Sequence, residues 1–200
     1  MSQGKLDRAE RLEYITIGWN SVEAVVAVAA GTIAGSVVLT AFGIDSIIEV
    51  FAALVVLAEL RGHAGHADHT ERAFLRLIGG SFFALALYVT TQAVYDLATR
   101  SRPSQSIPGI VLTVISLAFM WWLAGAKHRE GHRIECMPLI ADSRETRLCS
   151  LMSGVALMGL GLNSLFGWWW ADPIAGLGIA VLAVREGLEA WTGRHPEHRT

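Results

Sequence analysis

Long apolar runs, repeated along the chain, limit its fold more than any other feature. A helix needs roughly 20 mostly apolar residues to cross the hydrocarbon layer of a bilayer. There only helices and closed barrels satisfy their own backbone hydrogen bonds. Six windows of the 200-residue sequence meet that requirement, at about 14–34, 37–60, 73–97, 107–126, 138–166 and 171–191. The expectation is an all-α membrane protein, a six-transmembrane-helix bundle over residues 14–191. A polar segment, 1–13, precedes it and a short polar tail, 192–200, follows, with no C-terminal metal-binding domain. Hydrophobic residues make up 52% of the chain and charged ones only 17%, below the share usual for a soluble domain. The first apolar run is followed by further spans and no small-residue cleavage site, so it reads as a retained helix rather than a leader.

The basic residues set the orientation. With six spans, both termini and the loops after spans two and four share a side. That side collects Lys5, Arg8, Arg11, Arg61, Arg72, Lys127, Arg129 and Arg133, with Arg194 and Arg199 in the tail. The opposite loops hold only Arg100 and Arg102. By the positive-inside rule both termini are expected to be cytoplasmic. Trp168, Trp169 and Trp170 read as an interfacial belt. Gly31, Gly35, Gly154, Gly161, Gly176 and Gly178 suit close helix packing and say nothing of a ligand. Cys136 and Cys149 form no disulfide framework and no CxxC pair.

Ionisable residues inside a bilayer are costly and face the bundle interior or a wet cavity. Span one carries Asn20 and Glu23, and span two carries Asp45 and Glu49. Span five carries Asp142, Arg144, Glu145 and Arg147 in its polar first half, then Cys149. Asp45 and Glu49 are four residues apart and share a helix face. Two such carboxylates repel unless a cation or a proton lies between them. A divalent cation suits them, and protons can replace it because ligands must be deprotonated to bind. Glu145 and Cys149 form a second pair at the same spacing. Facing the first, that pair would complete a four-ligand, roughly tetrahedral metal site. The competing reading is a structural polar cluster salt-bridged to Arg144 and Arg147, with Cys149 as packing. Those arginines are expected to anchor the cytoplasmic mouth through ion pairs. His63, His66, Asp68 and His69 in the loop after span two form either a second, loose metal site or simply a polar loop.

Two stretches resemble the cation diffusion facilitator family. Ala34-Gly35-Ser36 leading into Gly43-Ile44-Asp45-Ser46-Ile47-Ile48-Glu49 is similar to the family's turn and span-two Asp-Ser-x-x-Asp, with Glu49 for the second Asp. Trp170-Ala171-Asp172-Pro173-Ile174-Ala175 resembles the start of its span six. The resemblance implies a proton-coupled exporter of zinc or a similar divalent ion, working as a homodimer. The family joins the span-two acids to a His-x-x-x-Asp pair on span five. Counting back from Asp172 puts Glu145 and Cys149 at those positions, and no histidine lies in span five. An alternative register pairs Asp142 with Glu145.

The expected function is divalent metal transport, by metal/proton antiport in the efflux direction, in a bacterial inner membrane. Asp45, Glu49, Glu145 and Cys149 are the expected metal ligands, with Asn20, Glu23 and Asp142 as helpers. Zinc comes first as cargo, then iron, manganese, cobalt or cadmium. No cofactor is held permanently, and the expected partners are metal ions, protons, the lipid bilayer and a second copy, not nucleic acid. The alternative is a non-transporting metal sensor or scaffold. An enzyme is not expected, since no intramembrane histidine and no His-Glu-x-x-His helix is present.

Overall fold

A computed structural model describes residues 3–62 and 68–192. Among these residues all regular structure is α-helix. Six helices follow in order: α1 (Gln3–Ala34), α2 (Val37–Leu60), α3 (Asp68–Thr99), α4 (Ile107–Ile134), α5 (Met137–Phe166) and α6 (Ala171–Thr192). The first five are long and apolar enough to cross a membrane. The sixth has the length but carries Asp172, Arg185, Glu186 and Glu189 within 22 residues. It packs into the bundle as a sixth member through α3 and α5.

Helix α3 begins at Asp68, inside the loop expected to run to Arg72, and two charged segments also differ from the sequence expectation. Residues 3–13, expected as a polar segment before span one, belong to α1, and Ala9 and Glu13 are fully buried. Residues 127–134, expected as a charged connection, belong to α4. The physical reason is the same at both. Hydropathy counts a charge against a helix wherever it points, whereas here the charges pair on the inside or face outward at the helix ends.

Helix ends follow local chemistry. Gly35 takes φ +66° and turns the chain sharply between α1 and α2, a conformation that disfavours other residues. Ser36 then caps α2, its hydroxyl accepting from the Leu39 N–H at 3.2 Å. Ser106 caps α4 by accepting from the Gly109 N–H at 3.1 Å. Gly167, at φ +67°, ends α5.

Adjacent helices pair closely as α1 with α2, α4 with α5, and α3 with α6. At Gly31 an added Cβ would lie 2.7 Å from the Thr40 backbone nitrogen, and at Gly43 one would lie 2.8 Å from that of Val28. Gly131 meets Ile140 in the same way across α4 and α5, and Gly79 meets Gly187 across α3 and α6. Of the glycines singled out in the sequence, Gly31 and Gly176 make such approaches, whereas nothing lies close to Gly161. Helix α2 is the hub, touching α1, α3, α5 and α6.

The surface has the polarity of a membrane protein. Ile33 is 86% exposed, while Glu13, Asn20, Glu23 and Lys127 are fully buried. Charge inside and hydrocarbon outside is the arrangement that a lipid solvent selects.

At the far end of the bundle Asp172 of α6 reaches the start of α2. Its carboxylate accepts from the Val37 N–H at 3.0 Å, from the Val38 N–H at 3.4 Å and from the Ser36 hydroxyl. The first turn of a helix leaves N–H groups unpaired and favours negative charge. Asp172→Ala is therefore expected to destabilise the protein by about 1.5–3 kcal/mol. Asp172→Asn, which keeps an acceptor oxygen, should cost less. Thermal unfolding in detergent measures both.

Candidate metal site

All four primary residues of the sequence reading meet in one place. Asp45 and Glu49 from α2, and Glu145 and Cys149 from α5, line a single cavity. Asp45, Glu49 and Cys149 are buried and Glu145 is half-buried. The i, i+4 spacing puts each pair on one helix face, and the packing of α2 against α5 turns the two faces toward each other. Glu186 of α6 adds a fourth carboxylate, and Ile48, Ala52, Phe82, Leu148 and Met152 supply apolar wall.

The cavity is small, about 20 Å³. That is room for one water-sized body, hence for an ion and not for an organic molecule. No lysine or arginine lines it. Both carboxylate oxygens of Glu49 are buried without a hydrogen-bond partner. A buried carboxylate of this kind demands a proton or a cation. Among the described residues, no three His, Cys, Asp or Glu side chains already form a group able to hold a metal ion. The acids share one cavity without closing on a common point.

The helper residues lie elsewhere. Glu23 accepts hydrogen bonds from Ser46 at 3.1 Å and from Ser116. The Trp19 indole N–H donates to the Ser116 hydroxyl at 3.3 Å. This seam ties α1 to α2 and α4 beside the cavity rather than on its wall. Asn20 is fully buried with both amide atoms unpartnered.

Asp142 belongs to a separate knot of charge. It pairs with Lys127, which also pairs with Glu13 at 3.2 Å and donates to the Thr146 hydroxyl at 3.3 Å. Lys127 is fully buried, so one lysine ties α1, α4 and α5 together. Asp142 does not line the cavity, so the register that pairs it with Glu145 does not match this geometry. Arg147, expected in an ion pair, lies with its guanidinium 5.7 Å over the Trp121 ring, a cation–π contact. His63 and His66 fall outside the described residues. The side chains of Asp68 and His69 fall outside them as well.

The sequence reading places Lys127 only among the loop charges and does not single out Glu186, yet the inward role of each left a signal. Lys127 continues a stripe of buried positions, Ser116, Met120, Leu123 and Ala124, at helical spacing. Glu186 is an acid in an apolar run, 14 residues after Asp172 and so close to the same helix face.

Breaking a buried ion pair from one side leaves a charge stranded. Lys127→Met is expected to destabilise the protein by about 3–5 kcal/mol. Adding Glu13→Gln and Asp142→Asn should recover much of that loss. Denaturation in detergent, comparing the single and triple variants, checks both.

The family model for the cation efflux transmembrane domain matches residues 14–191. The chain is 28% identical over 174 residues to "Uncharacterized transporter sll1263" of Synechocystis, covering 83% of this chain and 54% of that protein. It is 27% identical over 168 residues to "Cation-efflux pump FieF" of Escherichia coli O1:K1, covering 78% of this chain and 56% of the relative. The FieF of Shigella flexneri serotype 5b matches to the same extent. The chain thus spans about half the length of the curated relatives that it matches.

Proposed function

The chain belongs to the cation efflux family, the cation diffusion facilitators, and from that premise we propose that it carries a divalent metal ion out of the cytoplasm in exchange for protons. The observation that carries this reading is the cavity between α2 and α5. Four carboxylates and a thiol line it, no basic side chain does, and its room is that of one ion.

Asp45, Glu49, Glu145 and Cys149 are the proposed ligands, and Glu186 is added to them. Carboxylate oxygens and a thiolate together suit a borderline ion, for which zinc is the first choice and iron, manganese, cobalt or cadmium the others. The ligands open and close around the ion because they sit on different helix pairs: Asp45 and Glu49 on α1/α2, Glu145 and Cys149 on α4/α5, and Glu186 on α3/α6. Protons supply the exchange, since a protonated carboxyl or thiol cannot bind the ion. The Lys127 knot, with Glu10 bound to Arg61 at 3.1 Å, marks the end of the bundle proposed to face the cytoplasm. Both termini would lie on that side, in a bacterial inner membrane, with a second copy as partner.

Metal flux into proteoliposomes under an imposed pH gradient tests the reading, wild type beside Glu49→Gln and Asp45→Ala. Loss of a group that merely supports a metal ligand costs roughly 10–100-fold. Loss of a ligand should remove at least that much flux while leaving membrane insertion intact. Lowering the pH on the loading side should slow uptake, because protons then hold the ligands. A folded wild type that moves no metal ion in this assay would sink the transport reading and leave the sensor or scaffold.

A further inference from the structure

A second concavity lies on the outside of the bundle, between the first turns of α1 and the last turns of α4. It is an open groove of about 600 Å³, in the size range of small-molecule sites. Its lining changes character along the bundle axis. Arg8 and Arg11 of α1 and Arg129 of α4 stand at the outer end with Asp7. Ile15 and Trp122 stand deeper, both exposed, at 41% and 55%.

The register of the two helices fixes this gradient. Arg8 approaches Glu130 at 3.7 Å, Glu13 meets Lys127 at 3.2 Å, and Trp19 stacks near Phe119 at 4.7 Å. The helices are therefore antiparallel, and Arg11 stands level with Arg129 while Ile15 stands level with Trp122. Three guanidinium groups face one carboxylate. Arg8 has a long contact to Glu130 as its ion pair, and Arg11 and Arg129 form none among the described residues.

We propose that this groove binds one anionic phospholipid, its phosphate held by Arg8, Arg11 and Arg129 and its acyl chains laid along Ile15 and Trp122. Charge and polarity both select this occupant. A phosphate accepts forked hydrogen bonds from guanidinium groups, and basic pockets between membrane helices hold anionic headgroups. Indole rings favour the boundary between headgroup and hydrocarbon. A free phosphate would use the arginines and leave the apolar half of the groove unused. The lipid would pin α1 to α4 at the mouth of the bundle, next to the knot that Lys127 makes inside.

Native mass spectrometry of the detergent-solubilised protein, titrated with phosphatidylglycerol or phosphatidylcholine, tests the proposal without any transport assay. Wild type should retain one phosphatidylglycerol in preference to phosphatidylcholine. Arg8→Gln, Arg11→Gln and Arg129→Gln combined should weaken that binding on the order of 100-fold, and each alone about 5-fold. The three Arg→Lys changes together should keep most of it. Single variants keep the test open should the triple variant not fold. Equal retention of both lipids overturns the proposal. So does undiminished binding by the glutamine variants, or equally tight binding of sn-glycerol 3-phosphate, which would make the groove a soluble-phosphate site.

Discussion

Exclusion of charge from hydrocarbon governs this molecule. A carboxylate or ammonium group at membrane depth must turn inward, and once inside it needs a partner. The bundle meets that demand in three ways. Lys127 joins Glu13 and Asp142 in a closed ionic knot. Glu23 is surrounded by the hydroxyls of Ser46 and Ser116. Neither oxygen of Glu49 has a hydrogen-bond partner, and it lies in a cavity lined by acids and by no basic side chain. On the transport reading, the contrast separates the charges that hold helices together from the acids proposed to bind the ion. A paired group holds helices together, and an unpaired one is available to a ligand.

Much of this was legible in the sequence because both periods involved are simple. Apolar runs of span length gave the six helices, and four-residue spacing gave the shared faces of Asp45 with Glu49 and of Glu145 with Cys149. That the two pairs look into the same cavity rests on helix packing, and the family resemblance supplied the register for it. The misplaced boundaries at 1–13 and 127–135 have one cause. A hydropathy window cannot distinguish a lysine that faces solvent from one that pairs inside, so Lys127 was read as the start of a loop. Its partner Glu13 lies 114 residues away, beyond the reach of any local pattern. Asp172 shows the opposite case. Its motif was visible, but its work, capping α2 from α6, depends on two helices remote in sequence.

The close helix pairs give the cavity its mechanical character. Gly31 and Gly43 bring the α1 and α2 backbones together, and Gly131 does the same for α4 and α5. Interfaces packed backbone to backbone resist sliding, so each pair is the natural rigid unit. Asp45 and Glu49 ride on one unit, and Glu145 and Cys149 ride on the other. On the transport reading, an ion bridging them is a bond between two bodies, and a proton on each ligand cuts it. The acids line one cavity without forming a ready-made metal group. Capture then requires the two units to approach, and release requires them to part. The Lys127 knot crosses the same boundary, since Glu13 belongs to the first unit and Asp142 to the second. It lies at the end of the bundle where α1 begins. On the transport reading, a fixed ionic contact at one end and a breakable one further in suit a rocking motion, with the first as the pivot about which the second would open.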